Sequence, residues 1–318
     1  MTDATDMPRP AGSVVVRAPA KINLGLAIGP LRDDGFHDLA TVFHAVDIYD
    51  TVTVSACLPS ERGVSVRMDG VSGQVPADAT NLAWQAAQSV AARIGREPDV
   101  RISIDKRIPV AAGMAGGSAD AAATLVACSS LWDAELDNDQ LVELAAGLGS
   151  DVAFALYGGS MLGRGRGEQL SPVLGRANLR WVIAVSDEGL STHRVYQRLD
   201  ELRADDVVAQ LPTDACAQVL TALAGGEVDA IGAALTNDLQ PAAIALRPSL
   251  SRTLDVGMSA GAVGGVVSGS GPTCCFLAPD DETAVDISVA LMSEAACDRV
   301  MQARGPVPGA LANIRVAR

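Results

Sequence analysis

The chain has 318 residues, 48% of them hydrophobic and 19% charged, with 38 acidic against 24 basic side chains and a formal net charge of −14. That length supports two core-bearing domains, and so acidic a surface argues against nucleic acid or an anionic membrane as partner. Six cysteines without a C-x-x-C spacing, and only three histidines, argue against a His-rich metal centre; the cysteines read as small core residues of a reducing cytoplasm.

Residues 1–12 are polar, carry two prolines and are expected to form a flexible tail rather than a signal peptide or span; no apolar stretch runs unbroken for about 18 residues. From residue 13, Val14, Val15 and Val16 begin a strand that runs into Ala18-Pro19-Ala20-Lys21-Ile22-Asn23-Leu24. Lys21 and Asn23 are two apart and share a face; a site wall and a half-exposed edge strand account for that pattern equally well. Lys21 and Lys106 are the two lysines of the chain, against 22 arginines. Each puts a compact point charge where the chain otherwise favours a planar fork.

Asp34-Gly35 marks a turn. Phe36 and His37 follow it, read locally as a core ring and a loop side chain. Residues 38–56 are β-rich and should pair with the first strand. Asn81 or Thr80 caps an amphipathic helix that runs to about residue 94, where Gly95 ends it.

A strand over 100–108 then feeds Pro109-Val110-Ala111-Ala112-Gly113-Met114-Ala115-Gly116-Gly117-Ser118-Ala119-Asp120, and an Ala/Leu-rich run over 119–131 predicts a buried helix. A helix start offers unpaired N–H groups and the positive end of the helix dipole. Glycines let the backbone approach a bulky anion. A phosphate chain is the natural guest, and a plain strand-to-helix connection is the alternative. The loop is neither a Walker A loop nor a Rossmann fingerprint.

A second helix is expected over 139–148, and Ser150 or Asp151 caps a short one. Glycines with Arg164 and Arg166 close this half, which gives domains over 13–170 and 171–318. The second half reads as a buried strand (179–186) and a capped helix start at 191–196. Helices follow near 215–224, 227–236 and 247–259, then a strand, glycine turn and strand over 262–277. A helix over 281–296 and a last strand over 311–316 complete it. There are no internal repeats.

Residues 18–24, 109–120 and 264–273 line up in order with the three motifs of the GHMP kinases, which this sequence resembles along its whole length. Within that superfamily it is most similar to the family acting on 4-diphosphocytidyl-2-C-methyl-D-erythritol. Arg32-Asp33-Asp34-Gly35-Phe36-His37, Lys106-Arg107-Ile108-Pro109 and Gly149-Ser150-Asp151-Val152 carry that likeness. The resemblance implies an α+β two-domain GHMP kinase fold: an N-terminal domain like domain 2 of ribosomal protein S5, and a smaller α+β C-terminal domain. ATP with Mg2+ and a small molecule bearing a cytidine diphosphate group would share the cleft between them.

By the same resemblance Asp151 would be the catalytic base and Lys21 its partner cation. Residues Pro109 to Ala119 would cradle ATP, with Lys106, and more weakly Asn81, as further ATP contacts. Asn23 would hold the methylerythritol part. Phe36 and Tyr196 would sandwich the cytosine, with His37 and Thr192 hydrogen-bonding nearby. Three departures from the family pattern stand out. Ala115 replaces a usual Gly, which reads as sterically mild. Ala119 replaces a Ser that helps hold Mg2+ in some relatives, which leaves Ser118 or Asp120 as candidate metal ligands. Ala153 stands where Pro is common. The resemblance implies a cytoplasmic monomer or homodimer. Alternative readings are another GHMP kinase, of homoserine or mevalonate-derivative type, and a non-catalytic ligand-binding member.

Overall fold

The computed structural model describes residues 12–57, 62–70, 75–204 and 216–317. Of the expected tail, residues 1–11 lie outside the described residues. The chain opens with two long strands, β1 (Ser13–Leu31) and β2 (His37–Ala56), which form an antiparallel hairpin with irregular register after Pro19, Asn23 and Ile28. Then come β3 (Val64–Asp69), α1 (Leu82–Arg93), β4 (Val100–Asp105), α2 (Gly116–Leu131), α3 (Asn138–Leu148), α4 (Ser150–Tyr157), β5 (Ser160–Arg164) and β6 (Gln169–Pro172). The second half contributes β7 (Leu179–Val185), α5 (Thr192–Arg203), α6 (Ala217–Gly225), α7 (Val228–Ala234), β8 (Thr236–Asn237), α8 (Gln240–Leu246) and α9 (Ser249–Ser259). β9 (Gly264–Val267), β10 (Cys274–Ala278), α10 (Asp281–Ser293), β11 (Arg299–Gly305), a 3-10 turn (Ala310–Ala312) and β12 (Ile314–Ala317) follow.

The first sheet has the order β12-β1-β2-β4-β3, with β5 and β6 extending from β2 and β8 lying parallel to β1. β1 is therefore interior and almost wholly buried, and the edge-strand reading of Lys21 and Asn23 fails. On one face of the sheet, Val14, Val16, Val52, Val54, Ile102 and Ile104 pack with α1 and α2 into one core. Twelve of the 16 residues of α2 are buried. Their small side chains let several neighbours approach this helix closely, so it sits at the centre of the first half. The second sheet, β11-β7-β10-β9, is antiparallel throughout and packs against α5 and α8 to α10.

Several elements were not expected. β3, β5, β6 and β11 are short or half-exposed strands without a strong period. α8 begins on Gln240-Pro241, where proline suits the first helical turn. The last strand starts at Ile314, because residues 310–312 turn first. β12 and β8 join the first sheet and not the second, so the chain after residue 171 crosses back at two places.

His44 sits where the two sheets meet. Its Nδ1 lies 2.8 Å from Ser160 Oγ, and its ring stands edge-on to Trp181 at 5.9 Å. Burial lowers its pKa to about 3. The unfolded chain therefore binds the extra proton: the stabilisation is complete above about pH 6.5 and falls as the pH drops toward 3. We expect wild-type unfolding free energy to decline across that window by about 1.4 kcal/mol per pH unit from this one group. His44→Phe should remove that slope in urea titrations run from pH 7 to pH 4; an unchanged slope would refute the assignment.

Candidate active site

Lys21 and Asn23 point from β1 into a cleft of about 450 Å3 between the two halves. Lys21 Nζ donates to Asn23 Oδ1 (2.6 Å), Asn23 Nδ2 to Thr41 Oγ1 (2.7 Å), and Thr41 Oγ1 to the Gly25 carbonyl (2.9 Å). This buried relay fixes the ammonium without neutralising it. Asp151 enters from the first turn of α4, 3.8 Å from Lys21 Nζ. The lysine side chain is 8% exposed and the carboxylate 33%, so the carboxylate is the partner open to a ligand. The amide N–H groups of that first turn add a positive field beside it.

The glycine loop faces this pair. Gly113, Ala115 and Ser118 line the cleft where α2 begins. The Lys21 N–H donates to the Met114 carbonyl (3.2 Å), and Ser268 Oγ donates to the Gly113 carbonyl (3.1 Å). The loop is thus held between β1 and the turn joining β9 to β10. A Cβ on Gly113 would lie 2.3 Å from the Ser268 carbonyl oxygen, at a φ of +74°; only glycine closes this contact. Gly269 and Ser270 complete the wall from the second half. Asn237 fixes their turn by donating to the Val267 and Gly269 carbonyls (2.7 and 2.8 Å).

Two expectations about the loop change. Ala115 caps α2 with φ 59° and ψ 36°, in the left-handed region, so alanine there is strained and not sterically mild. Asp120 is 2% exposed and faces Lys106 at 2.7 Å, turned away from the cleft, which leaves Ser118 as the hydroxyl the loop presents. Among the described residues no group of three or more His, Cys, Asp or Glu side chains could hold a metal ion.

The expected ATP contacts Lys106 and Asn81 are not free to reach out. The Lys106 ammonium is buried between Asp50 (2.5 Å) and Asp120 (2.7 Å). Asn81 caps α1, its Oδ1 accepting from the Ala83 N–H (2.8 Å) and its Nδ2 donating to the Pro76 carbonyl (2.7 Å). Sequence pattern cannot separate such anchoring roles from ligand contacts.

On the acceptor side Thr192 and Tyr196 line the cleft from α5, and Thr192 Oγ1 lies 2.9 Å from Ser270 Oγ. Burial raises the Tyr196 phenol to about 12, with the Asp151 charge adding to the shift. His37 does not line the cleft. Its Nδ1 donates to the Gly29 carbonyl (2.8 Å), its Nε2 lies 3.4 Å from Asp200, and its ring packs on Tyr196 at 5.4 Å. Phe36 is 46% exposed at the hairpin tip. Thr41, Phe43, Arg166 and Leu239 also line the cleft and were not anticipated, since none belongs to a glycine motif.

Two outcomes follow from the loop. Ala115→Gly should raise stability by about 0.5–1 kcal/mol, relief of the left-handed strain outweighing the added freedom of the unfolded chain; an unchanged or lower urea midpoint would contradict it. Lys106→Met strands two buried carboxylates and should cost about 3–5 kcal/mol of stability. A variant of wild-type stability with only a raised KM for ATP would restore the ligand-contact reading.

The sequence matches the GHMP kinases N terminal domain over residues 81–159 and the GHMP kinases C terminal domain over residues 219–296. It is 52% identical to a 4-diphosphocytidyl-2-C-methyl-D-erythritol kinase of Mycolicibacterium smegmatis over 300 residues, covering 94% of this chain and 92% of that protein. Among solved structures, a 4-(cytidine 5'-diphospho)-2C-methyl-D-erythritol kinase superposes with a TM-score of 0.73 at 32% identity, over 91% of this chain and 98% of that one. A homoserine kinase from Cytophaga hutchinsonii, 22% identical with a TM-score of 0.75 over 98% of this chain and 99% of that one, shares the fold. Fold, motif order and sequence likeness agree: the chain belongs to the GHMP kinases, in the family of the 4-diphosphocytidyl-2-C-methyl-D-erythritol kinases.

Proposed function

We propose that the protein transfers the γ-phosphoryl group of ATP to the 2-hydroxyl of 4-diphosphocytidyl-2-C-methyl-D-erythritol, a step of non-mevalonate isoprenoid synthesis. The observation that carries this reading is the convergence of Lys21, Asp151 and the N-terminus of α2 on one cleft. Phosphoryl transfer to an alcohol needs the acceptor proton removed, the phosphate held in line and the growing charge stabilised. Asp151 takes the acceptor proton. Lys21, held by Asn23, stabilises charge at the attacking oxygen. Residues 109–119 cradle the ATP phosphates with backbone N–H groups.

Magnesium enters bound to ATP, neutralising phosphate charge, and Ser118 is the protein hydroxyl suited to it; Mg2+ is commonly held by substrate phosphates with few protein ligands. Asn23 and Thr41 hold the polyol end. Phe36 and Tyr196 receive the cytosine, which suits two aromatic side chains on either side of a planar base. Engaging the base through His37 would require it to give up a present contact with Gly29 or Asp200. No described helix is long and apolar enough to cross a membrane, and a cytoplasmic site of action fits the six free thiols.

ADP release with Mg2+ and ATP should occur with the cytidyl substrate and not with homoserine or phosphomevalonate. Asp151→Asn should lower kcat about 10^2–10^4-fold, and Lys21→Met about 10^2–10^3-fold. Turnover that survives Asp151→Asn would remove the base from its role. Turnover only with homoserine or phosphomevalonate would transfer the chain to another branch of the superfamily.

A further inference from the structure

The cleft contains a second cation that the mechanism above does not use. Two of its lining residues are basic, Lys21 and Arg166. Lys21 is committed to Asn23 and Asp151. Among the described residues the Arg166 guanidinium has no carboxylate within ion-pair distance, whereas arginines such as Arg32, Arg62 and Arg304 each meet one. Its Cζ lies instead over the Phe36 ring, 3.7 Å from the centroid.

The backbone beneath it is firmly placed. The Arg166 carbonyl accepts from Ser150 Oγ (2.8 Å), beside Asp151, and its N–H donates to Glu168 (2.7 Å). The neighbouring Gly165 carbonyl accepts from the Leu39 N–H on β2 (2.8 Å). The turn carrying Arg166 is therefore tied both to the start of α4 and to the hairpin that ends in Phe36.

We propose that Arg166 binds the diphosphate bridge of the cytidyl substrate and sets the preference for a diphosphate over an uncharged nucleoside. This rests on the substrate reading above. A guanidinium whose carbon sits over a ring still has N–H donors to offer at its rim, and that fork matches two phosphate oxygens. One side chain thus holds Phe36 at the rim and offers a fork to the group that follows the ribose. A lysine at this position would supply charge without either geometry.

The test separates the diphosphate from the base. CDP and cytidine are titrated calorimetrically into wild type, Arg166→Gln and Arg166→Lys, and KM values for the cytidyl substrate and ATP are measured on the same preparations. Arg166→Gln should weaken CDP about tenfold, leave cytidine unchanged and raise KM for the cytidyl substrate with little change in kcat. KM for ATP should stay at its wild-type value, which also reports an intact fold. Arg166→Lys should recover only part of the CDP affinity. Equal weakening of CDP and cytidine would overturn the proposal and reduce Arg166 to a prop for Phe36; unchanged CDP affinity would overturn it as well. If wild type itself neither binds CDP nor turns over the cytidyl substrate, the substrate reading falls, and this proposal with it. If wild type does both, an unaffected variant removes Arg166 alone.

Discussion

The glycine loop at the start of α2 rests on one buried charge cluster. Lys106 leaves the end of β4 and reaches back between Asp50 of β2 and Asp120 of α2. The second oxygen of Asp50 accepts from the backbone N–H groups of Arg107 and Ile108 (2.6 and 2.9 Å), so the same carboxylate fixes the course of the chain into the loop. Burial works against the charge on Lys106, but Asp120 and Asp50 outweigh it and hold its pKa above the ordinary value. Burial pushes the Asp120 carboxyl well above the usual range against the pull of Lys106, and Asp50 adds to the rise. Desolvating such a group is costly, and its use is to fix one arrangement of three elements where a hydrophobic contact would allow sliding. Gly116 belongs to the same arrangement, since a Cβ there would come within 3.2 Å of the Lys106 ammonium.

The opposite wall is organised by hydrogen bonds around one buried ammonium, that of Lys21. The relay from Lys21 through Asn23 and Thr41 to the Gly25 carbonyl lies across the irregular stretch of β1 and β2. The irregular register breaks strict alternation at the point where the strand must present polar side chains to a ligand. Glycine loop and relay are then joined by the Lys21 N–H to Met114 carbonyl bond. One strand and one loop in direct contact thus set two walls of the cleft.

What the sequence revealed follows from what has a local signature. Glycines at tight backbone contacts, an apolar helix such as α2 and the pair Lys21/Asn23 on one strand all leave marks within a dozen residues. Partners distant in the chain leave none. Lys106 before the loop reads the same whether it meets ATP or two buried carboxylates, and only the fold brings Asp50 to it. Asn81 and His37 show the same ambiguity, as residue types common in sites that here also serve as a cap and a brace. Arg166 sits among glycines in a turn between two short strands, and nothing adjacent to it in sequence marks it as facing the cleft. Ala115 fails for a different reason: its strain depends on a dihedral angle and not on its size.

The pairing of Ser13 with Ala317 across β1 and β12 also bears on how the molecule is made. Residues 13–16 of the first sheet are completed by residues 314–317, with the second sheet and its helices threaded between. On a ribosome the amino-terminal half therefore emerges with residues 13–16 of β1 unpaired on one flank, and that short hydrogen-bonding edge stays open until residues 314–317 have cleared the exit tunnel. Such long-range closure is slow and leaves an apolar strand available to other chains in the interval.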